Sequence, residues 1–126
     1  MTRALFLATL AAAAPAAAQT AFFTTVEDLP MAPGLAQETP GLVFEDFNGR
    51  IVGAAARGDA EPEAVRQFYL DTLPALGWAF SPGAGAAGDL VFLRGRERLA
   101  LSISPYEGGA ELHARLFVSA APSLPD

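Results

Sequence analysis

One stretch, Glu61 to Trp78, carries helical periodicity in a chain whose other patterned segments alternate like strands. Val65, Phe68, Tyr69, Leu73 and Leu76 fall at i, i+3, i+4, i+8 and i+11, one face of a 3.6-residue repeat, with Arg66, Gln67 and Asp71 opposite. Pro62 suits a first helical position, where its missing N–H costs nothing. Glu61 and Glu63 place negative charge at the positive end of the helix dipole. Pro74 cannot donate to the carbonyl of Leu70, so the last turn must kink or break there. Gly77 fits a left-handed closing residue, with Trp78 folding back on Leu73. A lone apolar stripe needs a sheet to lie on, so the expected class is α+β, one helix on a mostly antiparallel sheet.

The strands are read from alternation and turn residues. Leu42 to Phe47 and Arg50 to Ala56 form an expected hairpin closed by Asn48-Gly49, a pair that tolerates the positive φ of a type I′ turn. Arg57-Gly58-Asp59 then leads into the helix; as an adhesion tripeptide it is far more readily a chance match ahead of a helix cap. Trp78 to Ser81 is a short third strand. Gly83 to Gly88 matches the spacing of a dinucleotide fingerprint, but that motif must open a helix, and here it runs into the strand Asp89 to Arg94. A second hairpin joins that strand to Glu97–Ser104 around Gly95-Arg96. After a turn at Pro105 to Gly109, Ala110 to Ser119 is the last strand, giving the order ββ-α-ββββ.

Both ends are expected to lie outside this body. Arg3, the apolar run Ala4 to Ala14, Pro15 and Ala16-Ala17-Ala18 read as a signal peptide, residues 1–18, cleaved between Ala18 and Gln19. The run is too short to span a bilayer, so the expectation is a periplasmic or secreted protein with no membrane insertion after cleavage. Residues 19–41 hold Pro30, Pro33 and Pro40 but also Phe22, Phe23, Val26, Leu29, Met31 and Leu35, which suggests an extended arm that docks by Leu29 to Leu35. Residues 42–120 form the single domain, and 121–126 a tail. The chain carries a net charge of −6, and cleavage removes one basic residue and no acid. An acidic chain without a basic cluster is a poor fit to nucleic acid.

The run Phe68-Tyr69-x-x-x-Leu73-Pro74-x-Leu76-Gly77-Trp78, with Gly49-Arg50-Ile51-Val52 and the Leu29–Leu35 segment upstream, resembles a pattern of small exported bacterial proteins of unknown function. The resemblance spans most of the expected mature chain, and its motifs are a turn, a helix face and a cap. It implies a periplasmic single-helix α+β domain and assigns no catalytic residue or cofactor.

The residue inventory limits the chemistry. With no cysteine there is neither thiolate catalysis nor a disulfide framework. His113 is the only histidine, with Glu111 and Arg115 as neighbours on its strand face. Of the acid pairs Glu27-Asp28 and Glu45-Asp46, the second lies on a strand, where adjacent side chains diverge and cannot share an ion or a proton. A non-enzymatic reading without cofactor or metal follows. One helix covers one sheet face, so the other, with Arg98, Ala100, Ser102, His113, Arg115 and Phe117, is expected to stay open unless the arm covers it, and to meet an envelope protein or a second copy. The alternative is a small apolar ligand held between the helix, Phe80, Phe92 and the arm.

Overall fold

The computed structural model describes residues 22–24, 26, 29–38, 41–85 and 88–120. The expected signal peptide, the Glu27-Asp28 pair and the tail at 121–126 lie outside the described residues. The chain forms β1 (Leu35–Gln37), β2 (Leu42–Asp46), β3 (Gly49–Gly58), helix α1 (Pro62–Thr72) with a 3₁₀ turn (Leu73–Leu76), β4 (Ala79–Phe80), β5 (Leu90–Arg94), β6 (Glu97–Tyr106) and β7 (Gly109–Ser119). The seven strands make one antiparallel sheet in the order β1-β3-β7-β6-β5-β4, with β2 sharing the outer edge of β3 with β1. The fold is α+β, one helix on an antiparallel sheet. The arm adds a strand to the expected order, because Leu35–Gln37 pairs with Ala56–Gly58.

Alternation decides which face is covered. Val52, Ala54 and Ala56 of β3, Leu112, Ala114 and Leu116 of β7, Leu99 and Leu101 of β6, and Leu90 and Phe92 of β5 are buried in one cluster with Val65, Tyr69, Leu73 and Trp78. The arm joins this same cluster through Phe23, Val26, Leu29, Met31 and Leu35. Its anchor is Tyr69, whose hydroxyl donates to the Pro30 carbonyl at 2.8 Å and accepts from the Ala32 N–H at 3.1 Å. The core side of the space expected for an apolar ligand is filled, since Tyr69, Phe92, Leu29 and Leu73 are buried there and the Phe80 ring leans on Phe92 at 5.4 Å. An apolar groove remains between arm and helix, lined by Ala32, Pro33, Ala60, Val65 and Phe68.

The helix opens on Glu61, which makes no side-chain cap bond, with Pro62 following. It closes on Gly77, left-handed at φ 92°, with Gly77 N–H donating to Pro74 at 3.2 Å and Trp78 N–H to Leu73 at 3.1 Å. This is the paired-bond closure of a Schellman motif. The Arg94 guanidinium lies 4.2 Å over the Trp78 ring and donates to the Leu76 carbonyl at 3.1 Å, fastening the closure to β5. Leu76 corrects the sequence reading. Pro74 tightens the last turn to 3₁₀ geometry, the angular spacing changes, and Leu76 rotates out of the apolar stripe to 40% exposure. Phe68 is half-buried, edge-on to Tyr69 at 5.0 Å.

The first hairpin also departs from expectation. Asp46 pairs with Gly49, so Phe47-Asn48 forms the turn and Gly49 belongs to β3. Two interactions shift it. Asp46 Oδ1 accepts from the Asn48 N–H at 2.7 Å, closing the turn one residue early. A side chain at position 49 would also run into the Val118 carbonyl. The type I′ backbone appears instead between β6 and β7, where Glu107 (φ 45°) and Gly108 (φ 80°) are both left-handed.

Candidate functional site

The six residues expected on the open face all occupy the face opposite the helix. Arg98 sits across from Phe117, and Ser102 across from His113, while Arg115 faces Ala100 and Gly53. The described arm residues that reach the core, Phe23, Val26, Leu29, Met31, Ala32 and Leu35, pack on the helix side and do not cover them. Along the top of this face runs Leu93, Arg98, Phe117, Ile51 and Phe44. Below it come Val91, Ala100, Arg115, Gly53 and Leu42, and lower again Ser102, His113 and Ala55. Shallow grooves follow the rows, one floored by Gly53, Ala55, Ser102, His113 and Arg115, the other by Phe44, Ile51 and Phe117.

The glycine-rich loop narrows the expected face at one corner. Its backbone is tied down where Ser81 N–H donates to Val91 at 2.8 Å and Arg66 donates to Gly88 at 2.9 Å. Gly85 sits against Val91, which is buried, and the Arg98 guanidinium donates to Ala84 at 3.2 Å. Ala100 is buried as well. Arg98 is thus engaged with the loop and lies 5.7 Å from the Phe117 ring. The loop opens no helix: it leads into β5.

The polar end holds a connected set of which the sequence placed only Glu111 and His113 together. Arg57 Nε donates to Glu111, the Arg57 guanidinium lies 4.2 Å over the Tyr106 ring, and His113 Nε2 is 3.1 Å from the second Glu111 oxygen. The hydrogen bond from Arg57, then that from His113, holds the Glu111 carboxyl below its usual range. Arg57 stood in the tripeptide ahead of the helix, and only the folded sheet reveals its partners, Glu111 across the β3–β7 ladder and Glu38 at 3.8 Å.

A Ser102–His113–Glu111 alignment invites a hydrolytic reading, and the geometry argues against it. Among the described residues no hydrogen bond joins Ser102 to His113. The set lies in mid-sheet, where backbone N–H groups are committed to the ladders on both sides and cannot form an oxyanion hole. Glu111 is moreover engaged by Arg57, which favours a structural ion pair. Among the described residues no group of three or more His, Asp or Glu side chains is placed to hold a metal ion, and no helix is long and apolar enough to cross a membrane.

Sequence reasoning missed the apolar edge. Leu42 is 72% exposed, Phe44 64%, Val43 46% and Ile51 43%. Alternation alone divided β2 into two faces. The available signal was that both of its faces are apolar up to Phe44, although the strand lies beside β3 beyond the reach of the helix. No family model, curated protein or solved structure matches the chain.

Proposed function

We propose that this chain is an exported, non-enzymatic interaction module that presents the open face of its sheet to a protein partner of the cell envelope. The observation that carries this reading is the make-up of the uncovered face. Its central strands β7 and β6 turn Arg115 and Arg98 toward that side, while Arg57 of β3 is held between Glu111 and Glu38 and Asp46 lies at the outer edge of the same face. Beside these arginines lie the exposed apolar side chains of Leu42, Phe44 and Ile51 and the half-buried ring of Phe117. An apolar floor supplies affinity, and Arg98 and Arg115 beside it supply polar contacts for orientation and partner choice. Export rests on the residue pattern of positions 1–18.

A photo-crosslinking residue at Ser102, in cells making the tagged chain, tests the reading. A discrete adduct is expected, absent from the Arg115→Glu/Phe117→Asp variant and from a probe placed at Gln67 on the exposed helix side. No adduct, or the same adducts from both probes, would overturn it. Fractionation with amino-terminal sequencing tests export separately, the expected first residue being Gln19.

A further inference from the structure

We infer that β2 is a self-association edge, pairing antiparallel with β2 of a second copy about a two-fold axis at Phe44. All five residues of β2 are exposed, and its apolar members Leu42, Val43 and Phe44 lie together at one end. Monomeric proteins guard such an edge with charge, proline or a bulge; the two charges of β2, Glu45 and Asp46, sit together at its turn end, which leaves Leu42, Val43 and Phe44 without any of these.

The register follows from the hairpin. Its two-residue turn makes Asp46–Gly49 a hydrogen-bonded pair, so Phe44–Ile51 and Leu42–Gly53 are too. Asp46, Phe44 and Leu42 therefore spend their backbone groups on β3, while Val43 and Glu45 aim theirs outward. A second β2 centred on Phe44 meets those groups: Val43 pairs with Glu45 of the other copy, and Glu45 with its Val43, using all four outward N–H and C=O sets. That centring also keeps the full five-residue strand in register.

Side chains and charge agree with it. Phe44 faces Phe44 at the close, non-hydrogen-bonded position, where aromatic pairs are favourable. Each Glu45 lies opposite Val43 of its partner and beside Arg50 of its own β3, and each Asp46 lies opposite Leu42, so no acid meets an acid. The pairing would continue the sheet across both copies and merge their open faces at Leu42 and Phe44. It rests on the edge alone and does not depend on what the face binds.

Sedimentation velocity over a concentration series tests it on the purified chain. The wild type is expected to show a monomer–dimer equilibrium. Val43→Pro removes an outward N–H, which the β2–β3 ladder does not use, and is expected to give monomer with an unchanged circular dichroism spectrum. The cysteine-free background allows a second readout that needs no loss of association. Phe44→Cys is expected to form an intermolecular disulfide on mild oxidation, since Cα atoms of a non-hydrogen-bonded pair come within bridging distance. Ile51→Cys, one strand inward, would be separated from its copy by three strand spacings, about 14 Å, and is expected to stay reduced. A wild type that remains monomeric, a dimer that survives Val43→Pro, or equal crosslinking of the two cysteine variants would overturn the inference.

Discussion

The hydroxyl of Tyr69 donates to the carbonyl of Pro30 across the buried junction between helix and arm, at 2.8 Å, and the Ala32 N–H returns a bond to the same oxygen. One side chain thus satisfies two backbone groups of a segment that has little regular structure of its own. Burial pushes the Tyr69 hydroxyl well above its ordinary pKa, so it remains a neutral donor at any physiological pH. Tyr69→Phe keeps the ring and strands both backbone partners. The expected loss is about 1–3 kcal/mol in urea denaturation, with new protease cleavage in residues 22–38. An unchanged midpoint and an uncut arm would show that the arm is held by its apolar contacts alone.

Leu73 and Leu76 stand three apart and look equivalent in a helical reading, yet one is wholly buried and the other 40% exposed. Leu73→Ala is expected to cost about 2–5 kcal/mol, the usual range for truncating a core leucine. Leu76→Ala is expected to stay within about 0.5 kcal/mol, as a surface change does. Equal costs would place Pro74 in an ordinary α-turn and undo the assignment of a 3₁₀ ending.

Glu111 makes the fold sensitive to acid. Its carboxyl is held below the usual 4.5 chiefly by the hydrogen bond from Arg57, so the unfolded chain takes up its proton first as pH falls. The contribution is fully present above about pH 4.5 and fades as the pH drops through the lower folded value. Wild type should exceed Glu111→Gln in thermal midpoint at neutral pH, and the two should converge in acid. A constant gap across the titration would remove the charge from the explanation. His113→Ala should reduce the gap without abolishing it, because His113 is the second contributor.

Gly58 and Gly53 lie on the same strand and differ in what surrounds them. A β-carbon at Gly58 would collide with the backbone of Gly34 ahead of β1, whereas at Gly53 it would meet nothing. Gly58→Ala should force β1 away from β3 and lower stability by about 2 kcal/mol or more, in the range of overpacked sites. Gly53→Ala should be neutral or stabilising by about 0.5–1 kcal/mol, since alanine loses less backbone entropy on folding. Calorimetry of the two variants compares them directly; similar destabilisation would contradict the close approach of β1.

Much of this architecture was legible because burial and period coincide. Val65, Tyr69 and Leu73 repeat helically, while Leu99, Leu101 and Leu112 alternate between neighbours that face away, and together they dictate one helix on one sheet face. The same alternation grouped Arg98, Ser102, His113, Arg115 and Phe117 on one side. Tertiary contact decided the rest. Leu35–Gln37 is too short and too close to Pro33 and Gly34 to register as a strand until β3 offers it an edge. The turn at Phe47-Asn48 depends on the Val118 carbonyl some seventy positions away, and the partner of Arg57 on Glu111, separated by 54 residues. Local pattern carries no information about such encounters. The loop over Val91 was read correctly as a loop, but that it would shade a corner of the open face depends on the path of the chain.

The hydroxyl that latches the arm lies far downstream of it, Tyr69 being 37 positions beyond Ala32 and 39 beyond Pro30. A chain threaded amino end first, through a ribosome tunnel or a secretion pore, therefore delivers its leading segment before the latch that receives it exists. Any pause in synthesis or transport ahead of Tyr69 leaves Pro30 and Ala32 without the side chain that satisfies their backbone groups.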